Sequence, residues 1–473
     1  QLSEMSWPEV VCRLGGRLAE ALDYAHGKGV QHRDIKPANV LLAADGTPKL
    51  ADFNVSFSEV VGNSTPASYF GGSLPYMSPE QLEACNPKHP RTPAEIDHRS
   101  DLYSLAVLLW ELLHGEMQFE DECPAETWSL TLNQMTGRRR DPDYVHAEVS
   151  SDPLYQQLRQ VLLKSLSGDP DNRHSTGQQL ARDLAMCLHP RASKLLQVPS
   201  HSWRTFVRRW VLACAVLAGL VPNILAAVFN YSYNAVAVVD RMDEQAERIF
   251  WNVQFVINSI AFPAGIIIAL WYWWPVYRRV SSSSSATNDS ETAGQDTGLR
   301  RRALNFGWIV ALVGISEWSL AWLAYPVCLQ LFAKTTDIVQ IYFHFAVGHI
   351  LCGLVASVYP FFLLSFITVR VIYPVLCRGQ LKGSDVPSLE RLRQRNQIFL
   401  YLAGGIPALA TMMLVVAELM TEVIFAMLFM NFAGVAGFGI AFWLYRDLQG
   451  DLSALIAAAD PSTSVASQAK NAL

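Results

Sequence analysis

Asp34, Lys36, Asn39 and Asp52 lie close together in the sequence and are of the types that, in combination, can move a phosphoryl group. The carboxylate of Asp34 can take a proton from a hydroxyl, and Asn39, just beyond it, offers an amide oxygen to a hard cation. Lys36 stands between them and can neutralise a phosphate in transit. After this loop come Val40-Leu41-Leu42, the turn Ala44-Asp45-Gly46-Thr47, and Pro48-Lys49-Leu50-Ala51. Asp-Gly between two apolar runs predicts a short hairpin, which returns Asp52 beside the loop as a second cation ligand. A plain surface loop with scattered charges would need residue types, spacing and hairpin to coincide by accident.

Such a loop needs rigid supports on both sides. Upstream, residues 8 to 28 place Val10, Val11, Leu14, Leu18, Leu22 and Ala25 at helical spacing, with Pro8 near the start and Gly27 and Gly29 at the stop. Downstream, residues 97 to 115 form a helix that is apolar nearly all round. Its uninterrupted apolar run is too short for a bilayer, which takes about 20 residues, so it is expected as a buried core helix.

At the run His32-Arg33-Asp34-Ile35-Lys36-Pro37-Ala38-Asn39 with Asp52-Phe53, the chain resembles the bacterial eukaryotic-like (Hanks-type) serine/threonine protein kinases over about residues 1 to 190. The resemblance implies that Asp34 is the catalytic base, that Lys36 contacts the γ-phosphate of ATP, and that Asn39 and Asp52 hold magnesium (Mg2+). Lys36, two residues after Asp34, is similar to the serine/threonine branch rather than the tyrosine branch. Residues 55 to 80 resemble an activation segment ending in Gly71-Gly72-Ser73-Leu74-Pro75-Tyr76-Met77-Ser78-Pro79-Glu80, with Ser73 where most relatives have Thr. The resemblance also implies that Asp101 braces the catalytic loop from below and that Arg173 pairs with Glu80. Ser64, Thr65 and Ser68 are candidate phosphosites in a polar run, and Arg33, beside His32 and Asp34, could receive such a phosphate. Asn54 departs from the family's Asp-Phe-Gly; Asn tolerates left-handed backbone, so the turn can survive.

Composition separates the chain into unlike halves. Hydrophobic residues reach 51% and charged ones only 17%, against roughly 25% in soluble domains, and the mean hydropathy is +0.17. Part of the chain is therefore expected in lipid. A net charge of −5 and a pI near 6.1 give no reason to expect nucleic acid. The 8 cysteines include no Cys-x-x-Cys pair, which fits reduced thiols.

Six stretches are long and apolar enough to cross a membrane: about 210 to 229, 251 to 275, 305 to 332, 338 to 369, 398 to 417 and 423 to 445. Arg278, Arg279, Arg300, Arg301 and Arg302 lie between the second and third, and Arg378, Lys382, Arg391, Arg393 and Arg395 between the fourth and fifth. The opposite connections hold only Arg241, Arg248 and Lys334, so both termini are expected in the cytoplasm, where ATP is. The outer connection at 230 to 250 is acidic and too short for a sensor domain. Within the spans stand Glu317, His344 and His349; ionisable groups in lipid usually face a partner or a cavity, which makes these three a candidate ligand or proton site. Against this, a neutral histidine hydrogen-bonded inside a bundle is common.

These readings predict a mainly α protein: a kinase-like large lobe at 1–190, a basic linker at 191–209, a polytopic helical membrane domain at 210–445 and a cytoplasmic tail at 446–473. The expected activity is transfer of the ATP γ-phosphoryl to protein Ser or Thr, by a multi-pass protein of the inner (plasma) membrane that acts in signal transduction. Expected partners are protein substrates, the lipid bilayer and a second copy for autophosphorylation. Two other readings are a pseudokinase-like binding module and a membrane sensor whose kinase half only regulates. Before His32 there is no Gly-x-Gly-x-x-Gly and no strand carrying a phosphate-clamping lysine. The small lobe is therefore expected to be absent, the polypeptide inactive alone, and the native product either to begin upstream with that lobe or to be a truncated relic.

Overall fold

The computed structural model describes residues 5–53, 74–119, 126–141, 150–197, 202–239, 242–282, 293–333, 338–377, 381–416 and 421–459. Two compact units divide it, Gln1–Ser193 and Lys194–Leu473.

The first unit is a helical domain with one small hairpin. Helix α1, Trp7–His26, starts where the Glu9 carboxylate accepts the Ser6 N–H at 2.8 Å, with Pro8 in its first turn. The hairpin strands β1, Val40–Leu42, and β2, Pro48–Leu50, pair antiparallel with Val40 opposite Leu50 and Leu42 opposite Pro48. Gly46 takes φ 80° in the turn, a left-handed value that glycine reaches without strain. Then follow α2, Pro79–Cys85; α3, Arg99–His114; α4, Trp128–Arg140; α5, Pro153–Ser165; and α6, Gly177–Cys187.

Helix α3 is the centre of this unit. Leu102, Tyr103, Leu105, Ala106, Leu109 and Trp110 on its various sides are all buried, as the all-round apolar sequence predicts. They join Leu18 and Leu22 of α1, Leu158 and Leu162 of α5, and Leu180 and Leu184 of α6 in one core. The approach of α1 is close: a Cβ at Gly15 would fall 2.6 Å from a methyl of Leu109. A smaller core of Met77, Leu82, Leu132 and Met135 joins α2 to α4.

The second unit is built of long helices: α7, Trp203–Arg209; α8, Val211–Ala237; α9, Glu244–Ser282; α10, Ala293–Cys328; α11, Ile338–Ile367; α12, Tyr373–Cys377; α13, Val386–Val416; and α14, Thr421–Ala459. Among the described residues, five stretches are long and apolar enough to cross a membrane: Val211–Ala235, Glu244–Ser282, Thr297–Phe332, Phe345–Cys377 and Leu428–Ala459. The stretch expected at 398 to 417 falls in α13, whose first half carries Glu390, Arg391, Arg393 and Arg395 before the apolar part begins. The most enclosed is Phe345–Cys377, 67% buried in its most apolar window, which puts α11 at the middle of the bundle.

The segment read as a tail from 446 is helical as far as Ala459. Leu448, Leu452 and Leu455 lie on one buried face there, and Arg370 holds Asp447 at 2.9 Å and Asp451 at 2.6 Å, one helical turn apart. Arg300, 2% exposed, lies 3.4 Å from Asp385, which also accepts the Tyr373 hydroxyl at 3.1 Å. Burial pushes the Asp385 carboxyl up despite the charge of Arg300.

Candidate active site

The loop between α1 and β1 is clamped from the first turn of α3. The Asp101 carboxylate, 2% exposed, accepts the backbone N–H of His32 at 2.8 Å and of Arg33 at 2.7 Å, and lies 2.7 Å from Nε2 of His26 at the end of α1. Holding two successive N–H groups on one carboxylate bends the chain, and Arg33 takes φ 65°. Arginine has no intrinsic preference for that region, so the clamp imposes it at a cost of order 1–3 kcal/mol.

His32 ties the loop to the end of the hairpin. Buried completely, it places Nε2 3.0 Å from the Ala51 carbonyl, which can only accept, so Nε2 carries the proton. Its ring stacks at a tilt on Phe53, 4.6 Å between centroids. The Ala51 N–H in turn donates to the Asn39 carbonyl at 2.9 Å. Asp52 follows with φ 58°, left-handed, which Asp tolerates better than most side chains.

Asp34 is fixed by both neighbours. Lys36 Nζ lies 2.8 Å from its Oδ2, and the Asn39 amide donates to the Asp34 carbonyl at 2.7 Å and to Oδ2 at 3.2 Å. Asn39 is buried, whereas the side chains of Asp34 and Lys36 remain 22% and 24% exposed, open to an incoming hydroxyl and phosphate. With its NH2 group on Asp34, Asn39 keeps its amide oxygen for a cation. An amide oxygen with the Asp52 carboxylate suits a hard ion such as magnesium, which completes its shell with phosphate and water. Among the described residues no group of three or more His, Cys, Asp or Glu is placed to hold a metal by itself.

A further set of contacts fixes the segment entering α2, which begins as a 3-10 turn at Leu74–Tyr76. Glu80 and Arg173, nearly fully buried, form two parallel bonds at 2.6 and 2.9 Å. Arg173 also donates to the Ser167 carbonyl at 2.7 Å and stacks over Tyr103, 4.8 Å from the ring centroid. Ser78 caps α2 and meets the Ser100 hydroxyl at 2.9 Å. Burial, with the Glu111 carboxylate 2.6 Å away, pushes the Tyr76 phenol up, so it stays a neutral donor.

Three contributors carried no clear sequence signal. Gln81 donates its amide to the Arg33 carbonyl at 2.9 Å, linking α2 to the loop. Arg139, 3% exposed, donates at 3.1 Å to the carbonyls of Leu74, Met77 and Met135. It sits in the run Arg138-Arg139-Arg140, where helical phase alone selects the inward one. His26 looks in sequence like a basic helix end and proves to be a partner of Asp101. Asn54, Ser64, Thr65, Ser68 and Ser73 lie outside the described residues.

In the second unit, Glu317 and His349 line the same small cavity. His344 is in α11, with its side chain outside the described residues.

Residues 7–185 match the model of the protein kinase domain family. Among curated relatives, the probable serine/threonine-protein kinase of Clostridium perfringens is 28% identical over 176 residues, 37% of this chain and 23% of its own. Serine/threonine-protein kinase PknB of Mycolicibacterium smegmatis is 29% identical over 243 residues, 44% of this chain and 36% of its own. PknB of Mycobacterium tuberculosis is 32% identical over 182 residues, 37% of this chain and 26% of its own. The chain thus spans about a quarter to a third of the length of the curated relatives it matches.

Proposed function

We propose, on the premise that residues 7–185 belong to the protein kinase family and that its matched relatives are bacterial serine/threonine kinases, that this protein transfers the ATP γ-phosphoryl to protein Ser or Thr hydroxyls at a membrane. The observation that carries this reading is the position of Asp34: held by Lys36 and Asn39, on a loop whose two preceding N–H groups are gripped by Asp101.

In this reading Asp34 accepts the proton of the substrate hydroxyl as its oxygen attacks phosphorus, and Lys36 neutralises charge on the phosphoryl group passing beside it. Asn39 and Asp52 would hold magnesium, which when bound offsets charge on the nucleotide phosphates. The pair Glu80–Arg173 and the bonds of Gln81 and Arg139 hold the segment against which a protein substrate would lie. Catalysis of this kind is mostly positioning and charge stabilisation. Residues 7–26 form helix α1, which supports the loop from below its start rather than covering a nucleotide.

Five apolar helices and the bias of Lys and Arg support a multi-pass domain in the inner (plasma) membrane with both termini cytoplasmic. Its partners would be protein substrates, lipid and a second copy for autophosphorylation, and its role signal transduction. The test uses the longest native polypeptide that contains these residues, incubated with γ-labelled ATP with and without magnesium, followed by phosphoamino-acid analysis. The reading expects phosphoserine and phosphothreonine only with magnesium. Label on tyrosine, or none at all, contradicts it.

A further inference from the structure

Between α8, α9, α10 and α11 lies a partly open cavity of about 20 Å³, whose polar lining includes Asn230, Gln254, Asn258, Glu317, Trp318, Tyr325 and His349. These polar groups interrupt an apolar wall formed by Ala227, Ile257, Ala261, Phe262 and Ala321. The cavity sits toward the end of α8 and the beginning of α9, in the half of the bundle that the positive-inside bias turns to the outside.

Four buried polar atoms here have no hydrogen-bond partner among the described residues: Asn230 Oδ1, Glu317 Oε1, Trp318 Nε1 and His349 Nε2. Asn230, Trp318 and His349 are 4%, 5% and 2% exposed. His349 Nδ1 lies 2.8 Å from the Phe345 carbonyl, which can only accept, so the proton is on Nδ1 and Nε2 is a bare acceptor. The Tyr325 hydroxyl is committed to Gln254 Oε1. The Glu317 carboxylate, Asn230 Oδ1 and His349 Nε2 therefore line the cavity as acceptors, beside the Trp318 Nε1 donor and the exposed amide of Asn258. Unpaired buried acceptors are costly, and they tell in favour of an occupant that accepts their lone pairs.

Glu317 lines this cavity and also the larger, more apolar one beside it, to which Gly265 belongs. The Glu317 carboxylate packs on Gly265 of α9, where a Cβ would overlap it. A carboxylate inside lipid needs a counter-charge, and no Lys or Arg lines this cavity. The volume admits about one water-sized particle and excludes an organic ligand.

We infer that this cavity binds one desolvated monovalent cation of about sodium size, ligated by the Glu317 carboxylate, Asn230 Oδ1 and His349 Nε2. The inference rests on the membrane reading of the second unit and gives that unit a ligand: an external cation held within the bundle attached to the kinase domain.

The experiment is a thermal unfolding series on the full chain in detergent at fixed pH, in sodium, potassium or choline chloride at equal ionic strength. A site of this size stabilises the fold as it fills, so Tm is expected to rise with sodium and saturate, and to rise less with potassium. Glu317→Gln and Asn230→Ala should each abolish the sodium response. Equal Tm in sodium and choline overturns the inference, with or without the variants, and so does an undiminished sodium response in Glu317→Gln. A Tm that follows pH and ignores sodium also overturns it, leaving a proton as the occupant. Failure of the membrane reading would show separately, as a chain that stays soluble and monomeric without detergent.

Discussion

Asp101 accepts the backbone N–H of Arg33 at 2.7 Å across 68 residues of chain, and so fixes the residue next to Asp34 in a left-handed conformation. Its other oxygen takes the N–H of His32 at 2.8 Å. In Asp101→Asn, the amide NH2 must face one of these donors, leaving a buried N–H unpaired. Stability is expected to fall by about 2–4 kcal/mol, read from the urea midpoint. Phosphoryl transfer should drop by about 10²-fold because Asp34 is displaced. A native midpoint and rate in the Asp101→Asn variant would show that the clamp is dispensable.

The pair Glu80–Arg173 links α2 to the segment before α6 with both side chains almost fully buried. Removing one partner strands the other charge, so Glu80→Gln or Arg173→Met should each cost about 3–5 kcal/mol. The double variant should lose much less than the sum, giving a large coupling in a double-mutant cycle. Additive losses would mean that the two residues stabilise the lobe independently.

The Asp34 loop, the hairpin and the contacts of Asp101, and of Arg173 with Glu80, were legible in sequence because residue types recur there at fixed separations. Asp45-Gly46 named the turn, and the apolar circumference of α3 named the core helix. What stayed hidden depends on three-dimensional phase. Nothing in Arg138-Arg139-Arg140 says which guanidinium turns inward to the Leu74 and Met77 carbonyls, and Gln81 is an ordinary helix residue until α2 meets Arg33. The left-handed backbone at Arg33 has no local signal, since Asp101 imposes it from another helix. Past Tyr445, small and polar residues dilute the apolar pattern, yet Leu448, Leu452 and Leu455 keep helical spacing, and Asp447 and Asp451 stand one turn apart where α14 continues to meet Arg370.

Asp97 precedes α3 and is half-buried. Burial works to raise its carboxyl, but the side-chain and backbone hydrogen bonds and the charge of Arg99 prevail and hold it below the usual carboxylate range. A depressed carboxyl contributes stability above its unfolded pKa, about 4, and that contribution disappears as pH falls through the lower folded value. Asp97→Asn should therefore cost at most about 1 kcal/mol at pH 7, given the exposure of the pair. The difference from wild type should vanish near pH 2 in a series of denaturation curves. A gap that persists unchanged at that pH would assign the effect to something other than ionisation.

The orientation of the second unit is open to chemical labelling. Glu244, at the start of α9 and 91% exposed in its side chain, is expected outside the cell, and Ser282, at the end of the same helix, inside. In intact cells a membrane-impermeant maleimide should modify Glu244→Cys and miss Ser282→Cys, each compared with the parent. The reverse pattern would turn the bundle over and contradict the proposed cytoplasmic placement of both termini.

The central claim is that Asp34 is the base for phosphoryl transfer, and single-turnover transfer by the Asp34→Asn variant tests it most directly. The longest native polypeptide containing these residues should be saturated with γ-labelled ATP and magnesium and followed alongside wild type. The account predicts a rate at least about 10²-fold lower with ATP affinity and thermal stability unchanged, because the near-isosteric amide keeps the fold but cannot accept the proton. Transfer at the wild-type rate would contradict it.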